Sequence, residues 1–347
     1  VNDILSPYFL IVCLVLFVIL MGLLLLWRAR KAAQRLPPGQ PVPVGRRLVG
    51  FLKLIGFGLG AMFVIFNLLI VYVNYQEMKS EIAPVPRRVE IPDGMNLPVE
   101  EVHFSGGGGI SLAGWYVPPK NGATIILLHG YGGIRSDMLW HAEALVKAGY
   151  GVLMYDERAS GESGGNRRSY GWEDGPDVGG AIRFIGERSG VKSPKIGIGG
   201  CSIGGQIALQ GAILYPEIAA VWADGPSNIR AADNPPPQNL LTGLVGVSNY
   251  LLDFMYEREL GITAPPAMIE RIHRIAPRPV MLVGGGTEIG AVGSEAPRVR
   301  NYAGYTGPNA QVWVIESATH CDGPTQQPEE YARRFVQFFD VAFSSTR

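Results

Sequence analysis

Cysteine and histidine are scarce in this chain, at three and five of 347 residues. Three cysteines cannot form a disulfide scaffold. No His/Cys cluster has metal-ligand spacing, and no glycine-rich stretch ends in the Lys-Ser/Thr pair that cradles phosphate, so neither a metal nor another cofactor is expected. Net charge is also missing: 30 basic and 30 acidic residues cancel, which removes the case for a nucleic-acid partner and leaves small molecules as the expected aqueous partners. No internal repeat is present. Glycine, with 46 residues, and apolar side chains are abundant instead.

The apolar excess is concentrated in residues 7–27 and 54–73, each close to the roughly 20 residues that cross a bilayer as a helix. The first segment has neither a basic start nor a small-residue cleavage site, which argues against a removable signal peptide. Between the two lie Arg28, Arg30, Lys31, Arg35, Arg46, Arg47 and Lys53 with no acidic residue. The positive-inside rule therefore puts this loop in the cytoplasm of a bacterial-type membrane and both chain ends outside. Gly56 and Gly60 form a Gly-xxx-Gly face that offers a seat for the first helix or for a second copy of the chain, a route to a homo-oligomer. The expected plan is a membrane anchor over 1–75, a proline-punctuated linker over 76–98 and a folded domain over 99–347.

Short apolar runs alternate with helical spacing in that domain. Strands are expected at 99–104, 111–117, 124–128, 152–155, 195–198, 219–222, 280–283 and 311–315, and helices at 137–148, 177–188, 203–214 and 328–339. Such alternation implies right-handed crossovers and a largely parallel sheet covered on both faces. Residues 227–278 break the pattern, opening with three prolines and carrying the apolar run 240–255, and read as a small helical cap.

The run 195–199 drives into Gly200-Cys201-Ser202-Ile203-Gly204, a strand, a sharp turn and a helix. Glycines at 200 and 204 let strand and helix pass closely and push the serine hydroxyl outward, making Ser202 the candidate nucleophile. A serine needs a base held by an acid. Of the five histidines, His103 lies in an early strand, His141 in a helix, His273 in the cap and His129 at a strand end where it shapes a loop. His320 follows the last strand, on the side of an open sheet where strand ends converge, and is the candidate base. For the acid, Glu288 just past the strand 280–283 is the first choice, Asp224 a competitor and Glu295 a weaker one. The backbone N–H groups of Tyr131 and Ile203 are the candidate oxyanion donors. Cys201 and Cys321 adjoin the serine and the histidine, close enough in such a site to test for a bridge in an oxidising compartment, but side-chain direction at the turn is expected to keep their sulfurs apart.

Four segments, in order, resemble the serine-nucleophile α/β hydrolases: Leu128-His129-Gly130-Tyr131-Gly132-Gly133, Tyr155-Asp156-Glu157-Arg158-Ala159-Ser160-Gly161-Glu162-Ser163, the turn around Ser202, and the late His320. The second departs from the family pattern at Ala159 and Ser160. The resemblance covers about 99–347, leaves the two spans outside, and implies an α/β-hydrolase fold with Asp156 and Arg158 as loop braces. It also implies hydrolysis of an ester or thioester through an acyl-serine, with a serine peptidase or acyltransferase as the variant on the same fold. Membrane tethering suggests a lipid-like ester substrate. A catalytically inactive membrane-tethered binding or scaffold protein is the reading from a different class.

Overall fold

The computed structural model describes residues 44–92, 97–188, 195–237, 240–288 and 293–344, with single positions at 22, 24, 27, 30 and 31. The expected first span lies outside the described residues except at three of those positions. The chain divides into two units, Val1–Glu77 and Met78–Arg347.

In the first unit the described structure is helical. Helix α1, Val44–Ile82, contains an apolar stretch, Leu48–Ile82, whose most apolar window has a mean hydropathy of 2.5 and is not buried at all. An all-round apolar helix suits lipid better than water. Among the described residues it is the one helix long and apolar enough to cross a membrane. It extends well past the expected 54–73 and ends before Ala83, the residue that Pro84 pushes out of helical geometry. Residues 76–82 are therefore helical where a linker was expected. The chain beyond is also pinned, because β1 (Val85–Pro86) pairs in parallel with β6 (Ser160–Gly161).

The second unit is built on an eight-stranded sheet in the order β10-β9-β8-β7-β4-β5-β3-β2. The strands are β2 (Glu100–Ser105), β3 (Ser111–Val117), β4 (Ala123–Leu128), β5 (Gly151–Tyr155), β7 (Lys195–Cys201), β8 (Ile218–Asp224), β9 (Val280–Gly285) and β10 (Ala310–Ile315). Only β3 runs antiparallel to its neighbours β2 and β5; the remaining pairs are parallel. Every residue of β4 is buried, as a central parallel strand requires. Its side chains alternate between two cores. Ile126 and Leu128 pack with α3 (Gly175–Arg188) and α4 (Ile203–Leu214), while Ile125 and Leu127 pack with α2 (Leu139–Lys147) and α9 (Pro328–Ser344). Helix α9 presents Tyr331, Phe335, Phe338, Phe339 and Ala342, a helical stripe, to that second face.

From β4 the chain first winds outward to β5, then returns through β7 and proceeds the other way to β10. The switch point therefore lies between β4 and β7, where a crevice opens at the strand ends. Within 227–278, where a helical cap was expected, lie the turn Ala231–Asp233, α5 (Leu240–Leu260) and α6 (Met268–Arg271).

Candidate active site

Ser202 stands at the end of β7 with φ 58° and ψ −120°, a backbone state costly for a residue with a Cβ. Parallel pairing makes it tolerable. The Ser202 N–H donates to Asp224 O at 2.8 Å, and its carbonyl accepts from Gln206 and Ser227 N–H groups. A Cβ on Gly200 would collide with the backbone of Gly204, so the strand and α4 meet at this angle only through glycines. The Ser202 side chain shares a hydrogen bond of 3.3 Å with the Ser227 hydroxyl, and among the described residues none joins it to His320.

His320 lies between β10 and α8 (Gly323–Gln326), in a turn closed by the Thr319 N–H donating to Asp322 Oδ1 at 2.6 Å. Its Nδ1 is 2.5 Å from Glu295 Oε1. A carboxylate only accepts, so Nδ1 carries the proton and the neutral ring keeps its lone pair on Nε2. The Glu295 hydrogen bond raises the His320 pKa above its ordinary value, with burial working in the opposite direction. Glu295 precedes α7 (Ala296–Thr306), and its second carboxylate oxygen accepts the Gly285 N–H at 2.9 Å. Gly225, at φ 52°, leaves the necessary space: a Cβ there would stand 2.8 Å from Glu295 Oε1 and 3.0 Å from His320 Nδ1.

Of the three candidate carboxylates, Glu295 is the one hydrogen-bonded to His320 among the described residues. Glu288 is exposed and has no partner among the described residues. Glu295 instead reaches the histidine because the chain beyond β9 folds back, its N–H donating to Gly285 O at 3.1 Å. Asp224 is buried and turned to the core, accepting from the Tyr331 hydroxyl at 2.7 Å, and burial pushes its pKa up to about 7.

The loop after β4 packs against the serine, since a Cβ on Gly130 would lie 3.5 Å from Ser202 Cβ. His129 braces it. Its Nε2 must accept the Glu157 N–H at 3.0 Å, so Nδ1–H donates to Gly130 O at 2.8 Å, and burial lowers its pKa. Tyr131 and Ile203 line one small cavity of about 20 Å³ with Glu157 and Arg168. Among the described residues neither backbone N–H of this pair is spent on another protein group.

Sequence and structure comparisons agree with this architecture. A family model described as alpha/beta hydrolase fold matches residues 123–258. The Pyrococcus furiosus esterase Pf2001 superposes with a TM-score of 0.58 at 23% identity, covering 75% of this chain and 98% of that one. The second unit has the α/β-hydrolase fold. The chain is also 29% identical over 194 residues to the protein YfhR of Escherichia coli O157:H7, covering 54% of this chain and 62% of that protein. It is 32% identical over 116 residues to the thiohydrolase aneE of Aspergillus aculeatus, covering 31% and 36% respectively. The chain thus spans less than two thirds of the length of these two relatives.

Within the α/β-hydrolase domain, Asp156 and Arg158 act as braces. Asp156 accepts from the N–H and Nη1 of Arg135, and Arg158 donates twice to Asp177 at 2.9 Å. The expectation for the cysteines is overturned: Cys201 and Cys321 form a disulfide, with Cα atoms 6.0 Å apart. A strand alternates its side chains, but the positive φ of Ser202 breaks that alternation, so that Cys201 Sγ and Ser202 Cβ both face Gly130. Ser227 and Arg168 carry no motif that would single them out in the sequence. A larger groove, about 710 Å³, opens at the opposite ends of β8, β9 and β10 beside Ala219, Met281 and Gln311, away from Ser202. Among the described residues no three His, Cys, Asp or Glu are grouped to hold a metal ion.

Proposed function

We propose that the chain is a membrane-anchored serine hydrolase that opens a carboxylic ester or thioester through an acyl-serine intermediate. The observation that carries this reading is the Glu295–His320 hydrogen bond, on a loop tied to the residue beside Ser202. The Ser202 hydroxyl turns from Ser227 to His320 Nε2, gives its proton there and attacks the carbonyl carbon. The N–H groups of Tyr131 and Ile203 receive the developing oxyanion. His320 then returns the proton to the leaving oxygen or sulfur, and water repeats the sequence to free the acid. Glu295 keeps the ring in the required tautomer and stabilises the imidazolium.

Similarity to an esterase and to a thiohydrolase supports an acyl ester or thioester substrate. Anchoring through α1, with the predicted segment 7–27 as its partner span, supports a lipid-like one at the outer face of a bacterial-type membrane. Gly56 and Gly60 supply a face for self-association. A peptidase or acyltransferase would share the acyl-enzyme and differ in leaving group or acceptor.

A membrane-impermeant fluorophosphonate applied to intact spheroplasts and to opened vesicles tests chemistry and orientation together. Labelling of intact spheroplasts is expected, and Ser202→Ala abolishes it. Labelling only after opening would place the domain in the cytoplasm. A folded protein that stays unlabelled in both preparations sinks the enzyme reading and leaves a binding or scaffold protein.

A further inference from the structure

The disulfide joins the residue before the proposed nucleophile to the residue after the proposed base, 120 positions apart in sequence. Other contacts of the His320 loop lead elsewhere. The Thr287 N–H donates to Ala318 O at 3.0 Å and the Thr287 hydroxyl to Glu316 O at 3.0 Å. Glu295, which grips the ring itself, is bonded to Gly285. All of these fix the base to the end of β9. Among the described residues no hydrogen bond joins residues 316–322 to residues 200–205; Cys321 Sγ lies 3.6 Å from Asp224 O, the carbonyl that accepts the Ser202 N–H, and the disulfide is the covalent link between the base loop and the serine turn. Both cysteines are half-buried and within reach of a small reductant. Cys321 also sits at φ 55°, a left-handed state that an untethered non-glycine residue would tend to leave.

We infer that Cys201 and Cys321 are positioning residues that hold His320 at its working distance from Ser202, so that the enzyme turns over fully only in its oxidised form. This rests on the serine-hydrolase reading. A misplacement of about 1 Å can cost roughly 100-fold in rate. Reduction by a dithiol transfers two electrons and two protons, converting the protein disulfide to two thiols and the reductant to its cyclic disulfide. The Glu295–His320 pair is untouched, so the protonation behaviour of the base is preserved while its aim is lost. Such an enzyme is confined by chemistry to an oxidising compartment, in keeping with a domain outside the cytoplasmic membrane.

The test uses the full chain in detergent, with fluorophosphonate labelling of Ser202 and turnover of a short-chain p-nitrophenyl ester, before and after treatment with dithiothreitol. In the oxidised protein both proceed. After reduction the labelling rate and kcat are expected to fall roughly 10- to 100-fold. KM, the final stoichiometry of labelling and the pH of the acid limb stay as they were, and reoxidation with oxidised glutathione restores the rate. A loss of folded protein would instead lower the stoichiometry. The double variant Cys201→Ala/Cys321→Ala should match the reduced protein and ignore dithiothreitol. Equal rates in oxidised and reduced protein, or free thiols in protein isolated from membranes, overturn the inference while leaving the hydrolase reading standing. Absence of labelling in both states overturns both.

Discussion

Glu295 holds the proton-bearing nitrogen of His320 from the start of α7, so its charge governs both the tautomer and the basicity of the ring. Glu295→Gln is expected to lower kcat/KM by about 10³- to 10⁴-fold, the scale seen when the acid of such a triad loses its charge. Because the carboxylate raises the His320 pKa, and the base acts in its neutral form, the acid limb of kcat/KM lies above the ordinary histidine range. Its removal should move the residual activity's limb to lower pH. Glu288→Gln should leave both untouched, and pH profiles of the two variants separate the assignments; a collapse caused by Glu288→Gln would restore it as the acid. The positions of Ser202 and His320 in the fold were legible in the sequence because each sits one short step past an apolar strand. Glu295 was harder to read, since its hydrogen bond back to Gly285, ten positions earlier, follows from no local pattern, and only tertiary packing decides which carboxylate faces inward.

At the scale of elements, the loop after β4 is braced by an arginine from the segment between β6 and α3. The Arg168 backbone N–H donates to Ile82 O at 2.9 Å, and its side chain donates to Ala83 O and Ser80 O at 2.6 Å. These are orphan carbonyls at the end of a helix, where a cation is favoured. The same guanidinium lies 4.5 Å over the Tyr131 ring and donates to the Tyr131 hydroxyl at 3.2 Å. Arg168→Met is expected to slow turnover about tenfold or more by releasing this loop, with the acid limb of the pH profile unmoved. Arg168→Lys should recover little, because one ammonium cannot span the carbonyls and the ring together. Unchanged kcat/KM in Arg168→Met would show that the loop needs no such brace. Elements of this domain were readable where burial leaves a continuous apolar run, as in β4 and β9, or a helical stripe, as in α9. The C-terminal end of α1 was not, since Pro84 marks where a helix must stop without revealing that the preceding polar residues continue it.

For the whole α/β-hydrolase domain, the buried acids set the direction in which stability depends on pH. Burial raises Asp224 to about 7 and Asp174 and Asp233 to about 6, and holds Glu157 well above the carboxylate range. In the unfolded chain these groups ionise near their ordinary values, so as pH climbs past about 4 the unfolded state sheds protons that the folded state keeps. Each such group therefore costs the fold stability as pH rises, until its own folded pKa is passed. The raised pKa of His320 acts in the same sense: its pairing with Glu295 stabilises fully below the ordinary histidine value and is lost as pH rises through the folded one. Glu162 and Glu330, held low by arginines, oppose this only at acid pH, and the buried imidazoles of His129 and His141, which burial holds below the ordinary histidine value (His141 down to about 4), oppose it up to that value. Above the range in which those imidazoles titrate, the raised groups act alone, so thermal unfolding of the full chain in detergent should give a higher midpoint near pH 6.5 than near pH 8, by a few degrees. Asp224→Asn keeps the shape of the side chain without a titrating proton and should flatten that dependence around pH 7. A midpoint that rises towards pH 8, or an Asp224→Asn variant with the parent slope, would mean that Asp224 already ionises inside the folded domain with its charge met by partners other than Tyr331.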